Sequence, residues 1–253
     1  MSTLAVIPAR LGATRLPQKP LRLLGGEPLI ARVWERVTEM RVADRVIVAT
    51  DAPQVADACR AFGAEVVMTR ADHASGTDRV AEVAARREFS AFRIILNVQG
   101  DEPYVPSAAV EGAVELVASD RFAIGTAAAD SDDDILDDPN VVKVVTADDG
   151  RALYFSRAPI PYLRDTADSS MRAPLVRRHL GVYAYRRDAL ANFVALPPHP
   201  LELSERLEQL RALAAGIPMG VAGVGKVTGG GIDTEEDLAH ANARWSDHHI
   251  TPR

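Results

Sequence analysis

Short aliphatic runs separated by longer amphipathic stretches recur through the first hundred residues, and that alternation is the pattern of strands joined by crossover helices. Leu4–Ile7, Arg45–Ala49, Glu65–Met68 and Arg93–Val98 read as four buried strands. Leu29–Met40, Pro53–Phe62 and Thr77–Arg87 show helical spacing between them, and Gly63 is well placed to end the second helix. Right-handed crossovers stack such units into a mostly parallel sheet whose post-strand loops gather at one edge, where ligands of these folds bind. The expected class is therefore α/β with a Rossmann-like, mostly parallel central sheet.

The second half is less regular. Phe122–Ala128, Val141–Thr146, Ala152–Phe155 and Gly181–Tyr185 look like strands with few helices between them, which predicts an antiparallel extension or arm. Ser204–Ala214 reads as a helix, Pro218–Val224 as a late strand and Thr234–Trp245 as a closing helix, with a frayed tail from Ser246. Arg164–Arg172 has loop composition, and the acidic stretch Asp130–Asp138 reads as a solvated turn rather than a metal site. A length of 253 residues suits a single domain spanning 1–253, with a subdomain at about 150–185.

Composition narrows the class of partner. Hydrophobic residues make up 47% and aromatics only 5%, so the core is built from aliphatic side chains. The formal charge of −6 argues against nucleic-acid binding, which needs a basic face. Cys59, the only cysteine, excludes an internal disulfide and suits a reducing compartment, and its helical setting reads as core packing. No apolar run approaches the roughly 20 residues of a bilayer span, and the amino terminus lacks the features of a secretory signal. The expectation is a cytoplasmic protein without membrane attachment.

Four constellations carry chemistry. The segment PARLGATRLPQKP follows the first strand, and Arg10, Arg15 and Lys19 could surround a triphosphate while Gly12 and Ala13 admit backbone N–H groups to its oxygens. A solvated basic loop is the alternative, and neither a P-loop nor GxGxxG is present. NVQGDEP follows the fourth strand, and Asp101 there is a candidate to hold a cation over bound phosphates, with Gly100 giving freedom to aim it. Glu102, before a proline, reads as finishing the turn. In GGGIDTEEDL, Thr234 and the trailing acids read as a helix start. Asp233 either joins that cap or, if it meets Asp101, shares magnesium with it in metal-assisted displacement. Arg79, Arg157, His179, Tyr183, Glu208 and Gln209 each have an ordinary structural reading, but together they offer cations for a carboxylate and hydrogen-bonding groups for hydroxyls.

At these residues the sequence resembles the 3-deoxy-manno-octulosonate cytidylyltransferase (CMP-Kdo synthetase) family. IPARLGATRLPQKPL, IVATD, MTRADHASGTDR, NVQGDEP, NVVKVV, ALYFSRAPIPY, RHLGVYAYR, LEQLRAL and GIDTEEDL fall in family order along the whole chain. The resemblance implies a nucleotide-diphospho-sugar transferase fold and a homodimer built partly through an antiparallel arm. It implies transfer of CMP from CTP to Kdo for lipopolysaccharide synthesis, with magnesium as cofactor. A CTP site would comprise Ala9, Arg10, Arg15, Lys19, Ser75, Gly76 and Asp101, with Lys19, Arg15, Asp101 and Asp233 catalytic and the two aspartates ligating metal. Arg79, Gln99, Arg157, His179, Tyr183, Glu208 and Gln209 would bind the sugar acid. Ala13, Gln18, Ala74 and Glu235 depart from the family pattern, where serine, glycine, glutamine and proline are expected. Two rival readings are a cytidylyltransferase for 8-amino-Kdo or another acidic 2-keto sugar, and a non-catalytic nucleotide-sensing domain. The latter should lack a metal carboxylate or a phosphate cation, and this chain has all four of Asp101, Asp233, Arg15 and Lys19.

Overall fold

Aliphatic, β-branched runs form the central strands, covered on both faces, while the edge strand Glu65–Met68 stays partly exposed. The computed structural model describes residues 2–12 and 14–249, so Ala13 and the end of the tail lie outside the described residues. Two compact units are formed, Ser2–Val105 together with the chain from Gly229 onward, and Pro106–Thr228.

In the first unit the order is β1 (Thr3–Ala9), β2 (Leu23–Leu24), β3 (Glu27–Pro28), α1 (Leu29–Glu39), β4 (Arg45–Thr50), α2 (Pro53–Ala61), β5 (Glu65–Met68), α3 (Gly76–Ala85) and β6 (Ile94–Asn97). β1 pairs in parallel with β6 on one side and β4 on the other, and β4 pairs in parallel with β5. β1 is central and buried at every position, as its unbroken run of apolar and small residues requires. β2 and β3 make a separate antiparallel ribbon. The four expected strands and three expected helices are all present, with ends displaced by one or two residues. Cys59 is buried, and desolvation pushes its thiol up to about 12, so it packs and does not react.

The second unit contains α4 (Ser107–Ala118), β7 (Ile124–Asp130), β8 (Lys143–Thr146), β9 (Ala152–Ser156), α5 (Ser169–Arg172), β10 (Arg177–Arg186), α6 (Arg187–Ala195), α7 (Pro200–Glu205), α8 (Gln209–Ala214) and β11 (Met219–Val224). β7 lies between parallel β11 and antiparallel β10, and β8 pairs antiparallel with both β10 and β9. Few helices lie between the strands from β7 to β10, as expected, with α5 the only α-helix there among the described residues, while α4 and α6 flank that stretch and are not among the expected helices. α4 reads SAAVEGAVELVA, whose exposed stripe is marked only by Glu111 and Glu115 among small and apolar residues, so its amphipathic signal is narrow. The single helix expected over Ser204–Ala214 is two: α7 ends at Arg206, which takes the left-handed conformation at φ 55°, and α8 starts afresh at Gln209. Within Arg164–Arg172, expected as loop, α5 forms a single turn. The chain then returns to the first unit as α9 (Glu235–His249), so residues 246–249 continue the helix where fraying was expected.

Small residues let α4 lie directly on its sheet. A Cβ added at Gly125 of β7 would overlap the carbonyl oxygen of Ala113, a backbone atom that cannot turn aside. Gly125→Ala should therefore cost about 3 kcal/mol of stability through forced displacement of the helix, seen as a lower Tm. A cost below about 0.5 kcal/mol would show that α4 yields freely. Gln18 holds φ 55° in the loop after β1, a conformation that glycine adopts without penalty. Gln18→Gly should raise stability by about 0.5–1 kcal/mol in chemical denaturation. A loss instead would mean that the Gln18 side chain makes compensating contacts.

Candidate active site

Two apolar pins position the charged groups of the first unit. Leu16, between Arg15 and Lys19, is fully buried in a cluster with Leu24, Leu29, Ile232, Leu238 and Ala241. Ile232 inserts into the same cluster from the Gly-rich segment before α9, and its N–H donates to the Asp101 carbonyl at 2.9 Å. Gly100 packs so closely on the end of β1 that an added Cβ would lie 2.8 Å from the Pro8 oxygen. Three segments distant in the chain are thus fixed side by side, and each carries its ionic residue next to its apolar anchor.

Their charges meet. The Lys19 ammonium donates to Asp101 Oδ2 at 2.5 Å and to Asp233 Oδ1 at 2.7 Å, and Arg15 Nη2 donates to Asp233 Oδ2 at 2.9 Å. Burial alone would push the Lys19 pKa down, but the charges and hydrogen bonds of Asp101 and Asp233 more than offset it and hold the ammonium above its ordinary value. Lys19 therefore keeps its proton through the neutral range. Asp233 is spared from helix capping: the Thr234 hydroxyl accepts from Asp237 N–H, while the Asp237 carboxylate accepts from the N–H groups of Asp233 and Thr234. The capping reading holds for Thr234, and the Asp233 side chain turns to the cations.

These groups line a cleft of about 430 Å³ at the carboxyl edge of the parallel strands, with Ala9, Arg10, Ser75, Gly76, Arg79 and Gln99 also in its wall. Ser75 caps α3 through a reciprocal box with Asp78, at 3.1 Å and 3.0 Å. With Gly76 it brings the positive end of α3 to the cleft. His73 and Thr14, which sequence reasoning did not single out, are in the wall as well. His73 Nε2 lies 2.5 Å from the Glu82 carboxylate. Its place two residues before Ser75 was the available signal.

The donor set suits magnesium. That ion is typically bound by one or two carboxylates, with the remaining positions filled by water and substrate phosphates. Asp101 and Asp233 already present one oxygen each to a single cationic centre, the Lys19 ammonium. Among the described residues there is no group of three or more His, Cys, Asp or Glu side chains suited to a metal, the Asp130–Asp138 stretch included.

Arg79 is buried, forming an ion pair with Asp51 at 3.0 Å and hydrogen bonds to Thr69 and the Arg70 carbonyl. Its guanidinium ties the segment after β5 to the end of β4. Arg157, His179, Tyr183, Glu208 and Gln209 belong to the second unit. Arg157 donates to the Glu205 carbonyl at 2.8 Å and the Pro139 carbonyl at 2.7 Å. Beneath it, the buried Lys143 ammonium holds the carbonyls of Asp138 and Arg157 at 2.9 Å and 2.6 Å. Both arginines are thus engaged by protein groups, which use only part of each guanidinium's five N–H donors. The rings of His179 and Tyr183 lie 5.4 Å apart on β10, and desolvation raises the Tyr183 phenol well above its ordinary pKa, helped by Tyr185 and Glu208.

Residues 4–220 match the model of a family described as cytidylyltransferase. The chain is 64% identical over 97% of its length to 3-deoxy-manno-octulosonate cytidylyltransferase of Gemmatimonas aurantiaca, covering 95% of that protein. It is 46% identical over 92% of its length to the protein of the same name from Pseudomonas syringae pv. syringae, covering 94% of it. A solved structure of CMP:2-keto-3-deoxy-manno-octonic acid synthetase, complexed with CTP, superposes with a TM-score of 0.90 at 39% identity, over 98% of this chain and 100% of that one. The cationic cleft at the sheet edge, the collinear motifs and these likenesses agree, and the chain belongs to the 3-deoxy-manno-octulosonate cytidylyltransferase family.

Proposed function

We propose that this enzyme transfers CMP from CTP to the anomeric C2 hydroxyl of Kdo, giving CMP-Kdo and pyrophosphate for lipopolysaccharide synthesis. The observation that carries the reading is the meeting of Asp101 and Asp233 at the Lys19 ammonium beside Arg15. The triphosphate lies along the cleft wall, with Arg10, Arg15, Lys19 and the α3 terminus at Ser75 and Gly76 binding its oxygens. Magnesium held by Asp101 and Asp233 would neutralise phosphate charge and lower the pKa of the attacking hydroxyl. The C2 oxygen attacks the α-phosphorus in line, the bond from that phosphorus to the bridging oxygen breaks, pyrophosphate leaves, and the hydroxyl proton passes to solvent. Lys19 and Arg15 stabilise the charge that grows on the phosphate oxygens, where positioning and electrostatics contribute most to such transfers. For the sugar acid, the first unit offers Gln99 and Arg79 in its cleft wall, and the second unit, taken by itself, offers Arg157, His179, Tyr183, Glu208 and Gln209 as cation and hydrogen-bonding groups.

The working form is a homodimer in the cytoplasm, needing neither membrane nor nucleic acid. Among the described residues no helix is long and apolar enough to cross a membrane, and the formal charge is −6. Support for the dimer comes from large apolar side chains standing in solvent: Leu153, Tyr162, Met171 and Leu175 are 50%, 82%, 65% and 54% exposed.

Pyrophosphate release should require CTP, Kdo and magnesium together, and should be faster with Kdo than with 8-amino-Kdo or a nonulosonic acid. Faster turnover of another acid reassigns the sugar. CTP binding without product from any acid makes the chain a nucleotide sensor. Asp101→Asn should lower kcat by about 10²- to 10³-fold while changing CTP affinity much less. Adding Asp233→Asn should cost little more, because the two carboxylates act as a unit. Undiminished turnover of Asp101→Asn at saturating magnesium would falsify its assignment. In analytical ultracentrifugation the protein should sediment as a dimer and Tyr162→Glu with Met171→Glu as a monomer; a monomeric parent chain removes the dimer.

A further inference from the structure

The bulge in β10 decides which nitrogen of His179 carries a proton. Opposite β7, Leu180 pairs with Ala127 and Tyr183 with Thr126, so one step on β7 faces three on β10. The displaced backbone turns two carbonyls toward the Thr126 hydroxyl: Val182 at 2.7 Å and Leu180 at 3.3 Å. The same oxygen lies 3.0 Å from His179 Nε2. Thr126 is fully buried, so no bulk water shares in this arrangement.

A hydroxyl has one proton to give and two lone pairs to accept with. Carbonyl oxygens can only accept, and an oxygen–oxygen approach of 2.7 Å is the normal length of an O–H···O hydrogen bond and repulsive without the proton. The Thr126 proton is therefore spent on Val182, and toward His179 the hydroxyl can only accept. Nε2 must be the donor. Burial pushes the imidazole down to about 3, so the ring is neutral at physiological pH and its other nitrogen, Nδ1, carries a lone pair. The ring is also held sterically, edge-on to Phe155 at 5.0 Å and beside Tyr183 at 5.4 Å. Counting its backbone, His179 is only part-buried, and among the described residues the one hydrogen bond recorded for its ring is that to Thr126.

We propose that Thr126 is a positioning residue that fixes His179 as the Nε2–H tautomer, so that His179 offers Nδ1 as a hydrogen-bond acceptor to a hydroxyl of the sugar acid rather than a cation to its carboxylate. This rests on the reading of His179 as sugar-binding given above, while the tautomer itself does not. A backbone bulge, a buried hydroxyl and a ring nitrogen form one chain of hydrogen bonds whose direction is set at its carbonyl end. Recognition by His179 then discriminates a donor hydroxyl, not a negative charge.

Two measurements separate the parts. Long-range ¹H–¹⁵N correlation spectra of the histidine-labelled protein at neutral pH should show His179 neutral and protonated at Nε2. An Nδ1–H or doubly protonated ring overturns the proposal, whatever the enzyme's substrate. In kinetics, Thr126→Val keeps the shape but removes the acceptor, and it should raise the KM for Kdo by about tenfold. The KM for CTP should be unchanged and kcat within about twofold, and the spectrum should become a mixture of tautomers. Thr126→Ser, which keeps the hydroxyl, should restore both the KM and the Nε2–H signal. An unchanged KM for Kdo in Thr126→Val, or equal losses toward CTP and Kdo, overturns the positioning role. Should Thr126→Val not fold, the parent spectrum and the Thr126→Ser kinetics decide the matter. If the parent spectrum is as expected but no Kdo is turned over, it is the sugar assignment that fails.

Discussion

The insertion of Leu16 and Ile232 into one small apolar cluster is the constraint on which the chemistry of this enzyme depends. Isolated charges do not find one another across more than two hundred residues of chain, since exposed ion pairs yield at most about 1 kcal/mol. Burying two aliphatic side chains is worth roughly 1.5–3 kcal/mol each, and here each buried residue is the immediate or near neighbour of a charged residue of the cleft. Leu16 follows Arg15 and precedes Lys19 by three positions, and Ile232 precedes Asp233. The apolar contact supplies the energy and the peptide geometry delivers the charge.

The same economy appears at the sheet edge. Gly100 brings the turn carrying Asp101 against the carbonyl of Pro8, and Thr234 with Asp237 satisfies the start of α9, freeing Asp233 for Lys19 and Arg15. Arg79 and Lys143 serve a different purpose, fixing loop carbonyls from within. Buried cations bound to backbone oxygen rigidify the segments that they touch, since leaving either partner unpaired carries a large desolvation cost.

Much of this was legible in the sequence because it rests on local rules. The four strands and three helices of the first unit follow from period and punctuation, and Arg15, Lys19 and Asp101 stand out by their place after strand ends, whereas in sequence the meeting of Asp233 with them stays open against a capping role. What escaped has physical reasons. α4 marks its outer face with only two glutamates, Glu111 and Glu115, so its periodicity is weak. The break between α7 and α8 depends on Arg206 entering a left-handed conformation that its residue type does not announce. Arg79 and Arg157 look like ligands for a carboxylate in sequence, but the fold shows that protein oxygens already take part of their donors. The role of Thr126 was likewise hidden, because it arises from a register shift in a neighbouring strand.

Lys19 standing between two carboxylates has an implication for the order in which the reactants arrive. A bare divalent ion entering this place must compete with an ammonium that both acids already hold. A nucleotide arriving with its counter-ion offers that ammonium new oxygens to move to, so the lysine can leave the acids without losing its partners. On the proposed function, that resting charge balance would couple metal loading to nucleotide capture.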